Sequence, residues 1–286
     1  MRVFETISLE ELNAQAALQT RIDRKYVLPT DVVQELLADC PRNTKVLQIN
    51  DRTAFRYEST YFDTPEFDSY YLAAHKHRRR YKVRTRRYVD TGGVYLEVKL
   101  KGFRGATEKK RIPLAAVEDA TISSAGQAFL ASEIGEDLID RSEIAALRPC
   151  LHNSYLRTTQ LLPDERTRFT VDLNLEWRIP ASCRTRQSEI NRMRCTSLAI
   201  VETKSPSGGG ISSVDQWLWH RGYRPDRMSK FAAGLAALRP DLHANRWTRS
   251  LRQLKEHSTT YSPQPTQLDP ITVSATAAQQ IVRENA

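Results

Sequence analysis

Between Arg80 and Arg111 the chain reads RYKVRTRRYVDTGGVYLEVKLKGFRGATEKKR, in which basic and apolar side chains alternate on either side of a Thr-Gly-Gly turn. Successive side chains of a strand point to opposite faces, so Lys82, Arg84 and Arg86 share one face and Val83 and Thr85 the other. Beyond the turn, Glu97, Lys99 and Lys101 oppose Leu96, Val98 and Leu100, and a third strand is expected after Gly105. A solvated face is the common use of any one such strand. An ordinary surface mixes its signs, however, because like charges on neighbouring strands repel. A run this basic predicts a polyanion between the side chains.

The 286 residues, 40% apolar and 8% aromatic, suffice for a buried core in one large or two small domains. Against 34 acidic residues stand 43 Lys and Arg, a net charge of +9 that implies nucleic acid, anionic lipid or a phosphate-rich small molecule. Cys40, Cys150, Cys183 and Cys195 are scattered without a CxxC, so neither a zinc site nor a disulfide framework is indicated. No signal pattern opens the chain, and no apolar window approaches ~18 residues. A soluble, cytoplasmic protein is expected.

In chain order, Ser8 and Glu11 form a capping box for a short helix carrying Leu9, Leu12 and Ala16. A strand through Lys25 stops at Pro29, and Thr30 is expected to cap a helix reaching Leu37. Strands are predicted over 46–50 and 55–62, a helix over 67–74, and a broken helical stretch over 114–147. Residues 166–177 alternate sharply, with Phe169, Val171, Leu173, Leu175 and Trp177 against Arg168, Thr170, Asp172, Asn174 and Glu176. LAIVETK, 198–204, repeats in Glu202 and Lys204 the Glu-x-Lys of Glu97 and Lys99. Helices follow over 214–221 and 227–238, the second placing Arg227 and Lys230 on one side and Phe231, Leu235 and Leu238 in its packing stripe.

The division expected is one domain over 1–240, then a basic short helix and a disordered tail over 241–286. With Trp247, Leu251 and Leu254 on it, that helix is expected to dock on the domain or simply to be solvated, in preference to touching anionic lipid. Eight or nine strands with one charged and one apolar face suit a sheet that closes on itself, with helices outside and the charges lining a bore. Clustered cations repel and resist desolvation, so such a bore is a functional device.

RKYVL, STYFDT, VRTRRY, LEVKLK, KKRIPL, YLRT, TRFTVDLNL, AIVETK and MSKFAAGLAAL, in this order, resemble the polyphosphate polymerase (VTC) domain of the CYTH-like triphosphate tunnel metalloenzymes, over roughly residues 18 to 240. The resemblance implies an α+β fold: a closed antiparallel β-barrel, the triphosphate tunnel, with helices packed outside. It implies transfer of the terminal phosphoryl group of a nucleoside triphosphate, ATP by preference, to a growing polyphosphate chain, with a divalent metal, Mn2+ or Mg2+. By motif position Lys25, Arg84, Arg86, Lys99, Arg168 and Lys230 become the catalytic cations. Lys109, Arg157, Lys204 and Arg227 become further phosphate ligands, and Glu202 the metal ligand. Glu97 and Asp172 are expected to orient neighbouring cations.

Where the cyclase and thiamine triphosphatase branch carries Glu-x-Glu-x-Lys, this chain has Arg21, Asp23 and Lys25, which disfavours the hydrolase reading. The sensing domain and membrane spans of the eukaryotic polymerases have no counterpart here, which leaves room for a separate membrane partner. There is no P-loop. Residues 207–210, Ser-Gly-Gly-Gly, read as a flexible connection. His75 and His77 beside Arg78, Arg79 and Arg80 make a poor metal pair. No aromatic-interleaved or helix-turn-helix pattern supports nucleic acid. An inorganic or nucleoside triphosphatase, or a non-catalytic polyanion-binding module, remain the alternatives.

Overall fold

The computed structural model describes residues 3–15, 21–101, 107–115, 122–164, 166–183, 190–208 and 210–261. Ser8 and Glu11 cap each other reciprocally at 3.0 and 3.1 Å, between β1 (Glu5–Ile7) and α1 (Leu9–Gln15). Ala16 lies outside the described residues. β2 (Arg21–Pro29) ends at its proline, and Pro29, in place of the expected Thr30, occupies the cap position of α2 (Thr30–Ala38). Then come β3 (Lys45–Leu47) and β4 (Ala54–Asp63). Buried Asp63 accepts the backbone N–H groups of Thr64, Ser69 and Tyr70 at 2.9 to 3.0 Å, tying β4 to α3 (Asp68–Ala74).

β5 (Arg80–Tyr88) and β6 (Val94–Lys101) form the expected hairpin. Gly92 and Gly93 turn it at φ 80° and 91°, backbone that glycine adopts without steric penalty. β7 (Thr107–Leu114) continues the antiparallel pairing. Within the stretch expected to be broken helix lie α4 (Ser124–Ile134) and α5 (Arg141–Ala145), while residues 116–121 lie outside the described residues. β8 (Arg148–Leu161) and β9 (Arg168–Arg178) make the long central pair. The chain then runs through β10 (Arg192–Cys195), β11 (Leu198–Pro206), α6 (Ser213–His220), α7 (Lys230–Leu238), α8 (Thr248–His257) and β12 (Thr259–Tyr261).

The long strands follow the order β2-β11-β9-β8-β4-β5-β6-β7, antiparallel at each step. β10 and β12 extend the far half of β9, and β3 carries β1 on β8. In a flat sheet β2 and β6, six steps apart, would lie about 29 Å from one another. Yet Lys25 on β2 depresses the basicity of Lys82 on β5 and of Lys99 on β6, an influence that solvent would screen over such a span. Ser229 and Lys230, neighbours in the chain, likewise bond to β5 and β9. The sheet therefore curls until its ends face one another. The expected closure by hydrogen bonds is not seen among the described residues, since β2 and β7 are its unpaired ends. β7 is an exposed edge carrying Glu108, Lys109, Lys110, Arg111 and Pro113, a composition that opposes further pairing.

α2 and α6 cover the outer side of β2, β11 and β9, where Tyr26, Leu28, Phe169, Val171 and Val201 are buried. On the outer side of β5 and β6, Tyr81, Val83, Leu96 and Val98 pack with Leu130 and Ile134 of α4 and Ile144 of α5. α7 differs: it packs into the inner side, with Phe231 stacked on Tyr61 at 5.0 Å and Gly234 against Trp177. The expected single apolar face of β9 breaks at Asn174, where φ is +51° and the register with β8 shifts. Such a bulge reverses the phase of the side chains. Phe169, Val171 and Leu173 keep to the outer core, whereas Leu175 and Trp177 join the inner one under α7. Glu176 is turned out to Arg192 and Arg194 of β10.

The basic helix docks. Trp247 and Leu254 are buried in the α7 core, and β12 pairs with β10. All four cysteines are buried and none forms a disulfide. No helix among the described residues is long and apolar enough to cross a membrane.

Candidate functional site

The strand register collects the charged side chains on the inner face. Lys25 stands opposite Glu202, Lys204 opposite Arg168, Arg157 opposite Asp172, Arg84 opposite Glu97, and Lys99 between Lys82 and Lys109. Three carboxylates organise them. Arg84 donates through Nε and Nη2 to Glu97 Oε2 at 2.9 and 2.6 Å, and Lys109 Nζ lies 2.5 Å from Oε1. Arg157 grips Asp172 with a two-toothed contact at 2.5 and 2.7 Å, and Lys230 reaches the same carboxylate from α7. Lys25 donates to Glu202 Oε1 at 2.7 Å, while Lys204 stands 3.4 Å from Oε2. Each acid is thus held by two cations.

Burial alone would raise the Glu97 carboxyl, but Arg84, Arg86 and Lys109 outweigh it and hold it down at about 2. Asp172 shows the same contest, won by Arg157 and Lys230, again at about 2. Glu202, buried too, is carried well below the usual range by Lys204 and Lys25. These carboxylates stay ionised, and a charged, oriented partner for each cation is what the expected orienting role of Glu97 and Asp172 requires.

Cations outnumber acids, and the surplus is visible. Lys82 is pushed down to about 7 by burial and then by Lys99, Arg80, Lys25 and Arg84; its one hydrogen-bond partner among the described residues is Ser229 Oγ at 2.9 Å. Burial and Lys25 lower Lys99, and burial with Arg21 nearby lowers Arg168. Lys204 falls to about 8 through burial, which Glu202 only partly offsets. Arg86 Nε and the Thr170 hydroxyl are buried on this face without a hydrogen-bond partner among the described residues. Lys82 and Arg86, partly dehydrated with no acid bonded to them among the described residues, are poised for an anionic guest, and exposed Lys99 stands beside Lys82.

An aromatic wall fixes the arginines. Tyr57 and Tyr155 stack in parallel at 5.5 Å. Arg86 lies 5.3 Å from Tyr57, and Arg157 lies 5.3 and 5.2 Å from the two rings. Arg86 donates to the Tyr155 hydroxyl at 2.9 Å. A guanidinium held beside aromatic rings and bonded to a hydroxyl or a carboxylate has fewer orientations open to its remaining donors.

Of the residues singled out by sequence, Lys25, Arg84, Arg86, Lys99, Lys109, Arg157, Arg168, Lys204 and Lys230 meet on this inner face with Glu97, Asp172 and Glu202. Arg227 does not sit on a helix face with Lys230. Ser229 caps α7, its Oγ accepting the Ala232 N–H at 3.3 Å, so the helix starts at Lys230 and Arg227 is exposed ahead of it. The sequence expectation omitted Lys82, although its alternation with Arg84 and Arg86 was the signal. It also omitted Tyr57 and Tyr155, which alternation places on the same face as Ser59 and Arg157.

No three His, Cys, Asp or Glu residues come together as a metal cluster among the described residues. Glu202 fits a shared cation: among the described residues its Oε2 has the long 3.4 Å contact to Lys204, and Mg2+ or Mn2+ takes most of its ligands from phosphate and water. The His75 and His77 rings stand 6.4 Å apart, away from any such acid group.

No curated protein sequence matches the chain. Among solved structures, HpAC1 of Hippeastrum, provisionally called an adenylyl cyclase and described as having a dominant triphosphatase activity, aligns at 16% identity and TM-score 0.46, covering 79% of this chain and 98% of its own. The PH1819 protein of Pyrococcus horikoshii aligns at 12% identity and TM-score 0.41, covering 78% and 99%. The VTC domain family matches residues 20–239, a span that begins just before β2 and ends just after α7. The cation-lined sheet and the helix that stoppers it therefore lie within one family unit, and the chain belongs to the VTC domain family.

Proposed function

We propose that this protein is a metal-dependent polyphosphate polymerase that transfers the terminal phosphoryl group of ATP to the end of a polyphosphate chain inside the bore. The observation carrying this reading is the gathering of ten cations on one face, six of them held in pairs by three carboxylates and Lys82, Lys99, Arg86 and Arg168 not paired with those acids. A triphosphate bears about four negative charges near neutral pH, and phosphoryl transfer is promoted chiefly by positioning and neutralisation. Arg84, Arg86 and Arg157, held by acids and rings, present oriented donors to phosphate oxygens. Lys82 and Lys99 add point charges from the same wall. Glu202 is the residue that would hold Mg2+ or Mn2+, which when bound supplies further neutralisation of phosphate oxygens. The acceptor is a terminal phosphate oxygen, already ionised, so no side chain has to remove a proton.

Incubation with ATP and Mn2+, followed by gel separation of acid-stable polymer, tests the proposal. Polymer is expected, and orthophosphate as the sole product would defeat the polymerase reading in favour of a triphosphatase. Glu202→Gln is expected to abolish turnover while tripolyphosphate still binds.

A further inference from the structure

Along the inner face of β5 and β6 three cross-strand pairs succeed one another: Arg84 with Glu97, Lys82 with Lys99, and Arg80 with Lys101. Same-face residues of a strand stand about 7 Å apart, so these pairs are consecutive rungs. The first is an ion pair; the next two set like charges opposite each other, an arrangement sheets avoid. Lys82 donates to Ser229, just ahead of α7, and two residues earlier comes exposed Arg227. Arg246 arrives from the other side, on the turn Asn245–Trp247, where buried Trp247 anchors it.

These charges sense one another. Burial, then Arg80 and Arg246, lowers the basicity of Lys101; burial, then Arg80 and Arg227, lowers that of Arg246. A purely structural role explains part of this. Arg246 Nη1 donates to Ala73 O at 2.5 Å and Arg80 Nη1 to His77 O at 2.6 Å, both near the end of α3, where cations satisfy unpaired carbonyls. Among the described residues that role uses one N–H of each arginine and involves neither Lys101 nor Arg227. Of the neighbouring acids, Asp137 is paired with Arg79, and Asp226 accepts from Ser250 Oγ through Oδ1 and faces Arg249 at 3.9 Å through Oδ2.

The geometry points to a cationic track, Arg80, Lys101, Arg227 and Arg246, that carries the part of a linear polyphosphate chain extending beyond the bore. The identity of the polyanion rests on the polymerase reading. Arg80, Lys101 and Arg227 lie within the family's matched span and Arg246 just past it. None of the four makes a cation–π contact among the described residues, and a track without aromatic platforms suits a chain of phosphates better than stacked bases.

Calorimetry on the full chain, with long linear polyphosphate and with tripolyphosphate over a range of NaCl concentrations, tests this. The wild type is expected to bind the long chain about tenfold tighter, with a steeper salt dependence. Lys101→Gln combined with Arg246→Gln is expected to erase most of that advantage and to lower the salt slope by roughly one per cation removed, with tripolyphosphate affinity held to within about twofold. Lys101→Gln alone, which breaks no hydrogen bond among the described residues, covers the case in which the double variant fails to fold. Equal wild-type affinity for both ligands, or equal losses for both in the variants, overturns the track. Single-stranded RNA binding as tightly as polyphosphate, with the same losses, overturns it as well. Binding needs no turnover, so failure to make polymer from ATP counts against the polymerase reading and not against this comparison.

Discussion

Arg84 shows how one residue is prepared for phosphate. Glu97 takes two of its N–H groups, and Nη1 donates to the Tyr61 hydroxyl at 3.3 Å, so the guanidinium has a fixed plane before any ligand arrives. Arg84→Ala is expected to weaken tripolyphosphate binding by about 1.5–3 kcal/mol, the value of a charged hydrogen bond, as read by calorimetry. Unchanged affinity would contradict its place in the bore. The alternation that put Arg84 on a charged face was legible in the sequence. Which acid serves which cation was not, because Asp172 meets Arg157 only through the pairing of β8 with β9, and Lys230 only through the seat of α7.

At the scale of elements, α7 is the part most sensitive to a small change. A Cβ on Gly234 would stand 2.2 Å from Trp177 Cδ1, and Trp177 Nε1 also donates to Lys230 O at 2.8 Å. Gly234→Ala is therefore expected to destabilise the protein by about 1–3 kcal/mol through overpacking, lowering the melting temperature by several degrees. It should also weaken triphosphate binding, since the same helix delivers Lys230. A melting temperature equal to wild type would show that the contact relaxes freely. The packing stripe of Phe231, Leu235 and Leu238 was readable from helical spacing, but its target was not. Strict alternation put Trp177 on the outside with Phe169, and a single left-handed residue, Asn174, sends it inward.

For the molecule as a whole, crowding of cations sets the response to pH. Lys82 and Lys204 ionise near 7 and 8 in the folded protein, against an ordinary 10.5. Between those values and 10.5 the unfolded chain holds more protons, so stability rises with pH; the penalty is full below pH 7 and is relieved above it. Glu97 and Asp172 act in the opposite region, stabilising above their ordinary range near 4 and losing that contribution as pH falls toward 2. The melting temperature of the ligand-free protein is expected to climb from pH 7 to pH 9. Lys82→Met should flatten part of that climb, and bound tripolyphosphate should flatten it in the wild type. A falling melting temperature over this range would contradict the crowding. Basic strand faces made the bore legible in outline. Its unpaired seam was not, because the pairing of edge strands depends on curvature that no local pattern records.

The docking of α8 bears on where this protein can be cut. Leu242, Trp247 and Leu254 share one apolar cluster with Phe231, Leu235 and Leu238 of α7. A fragment trimmed to the family's own limits would keep every long strand, yet it would strip the back of the stopper and expose a greasy flank in its place. The helix thus acts as a clamp, and a fragment ending at residue 261 keeps both it and β12, which pairs with β10 of the sheet.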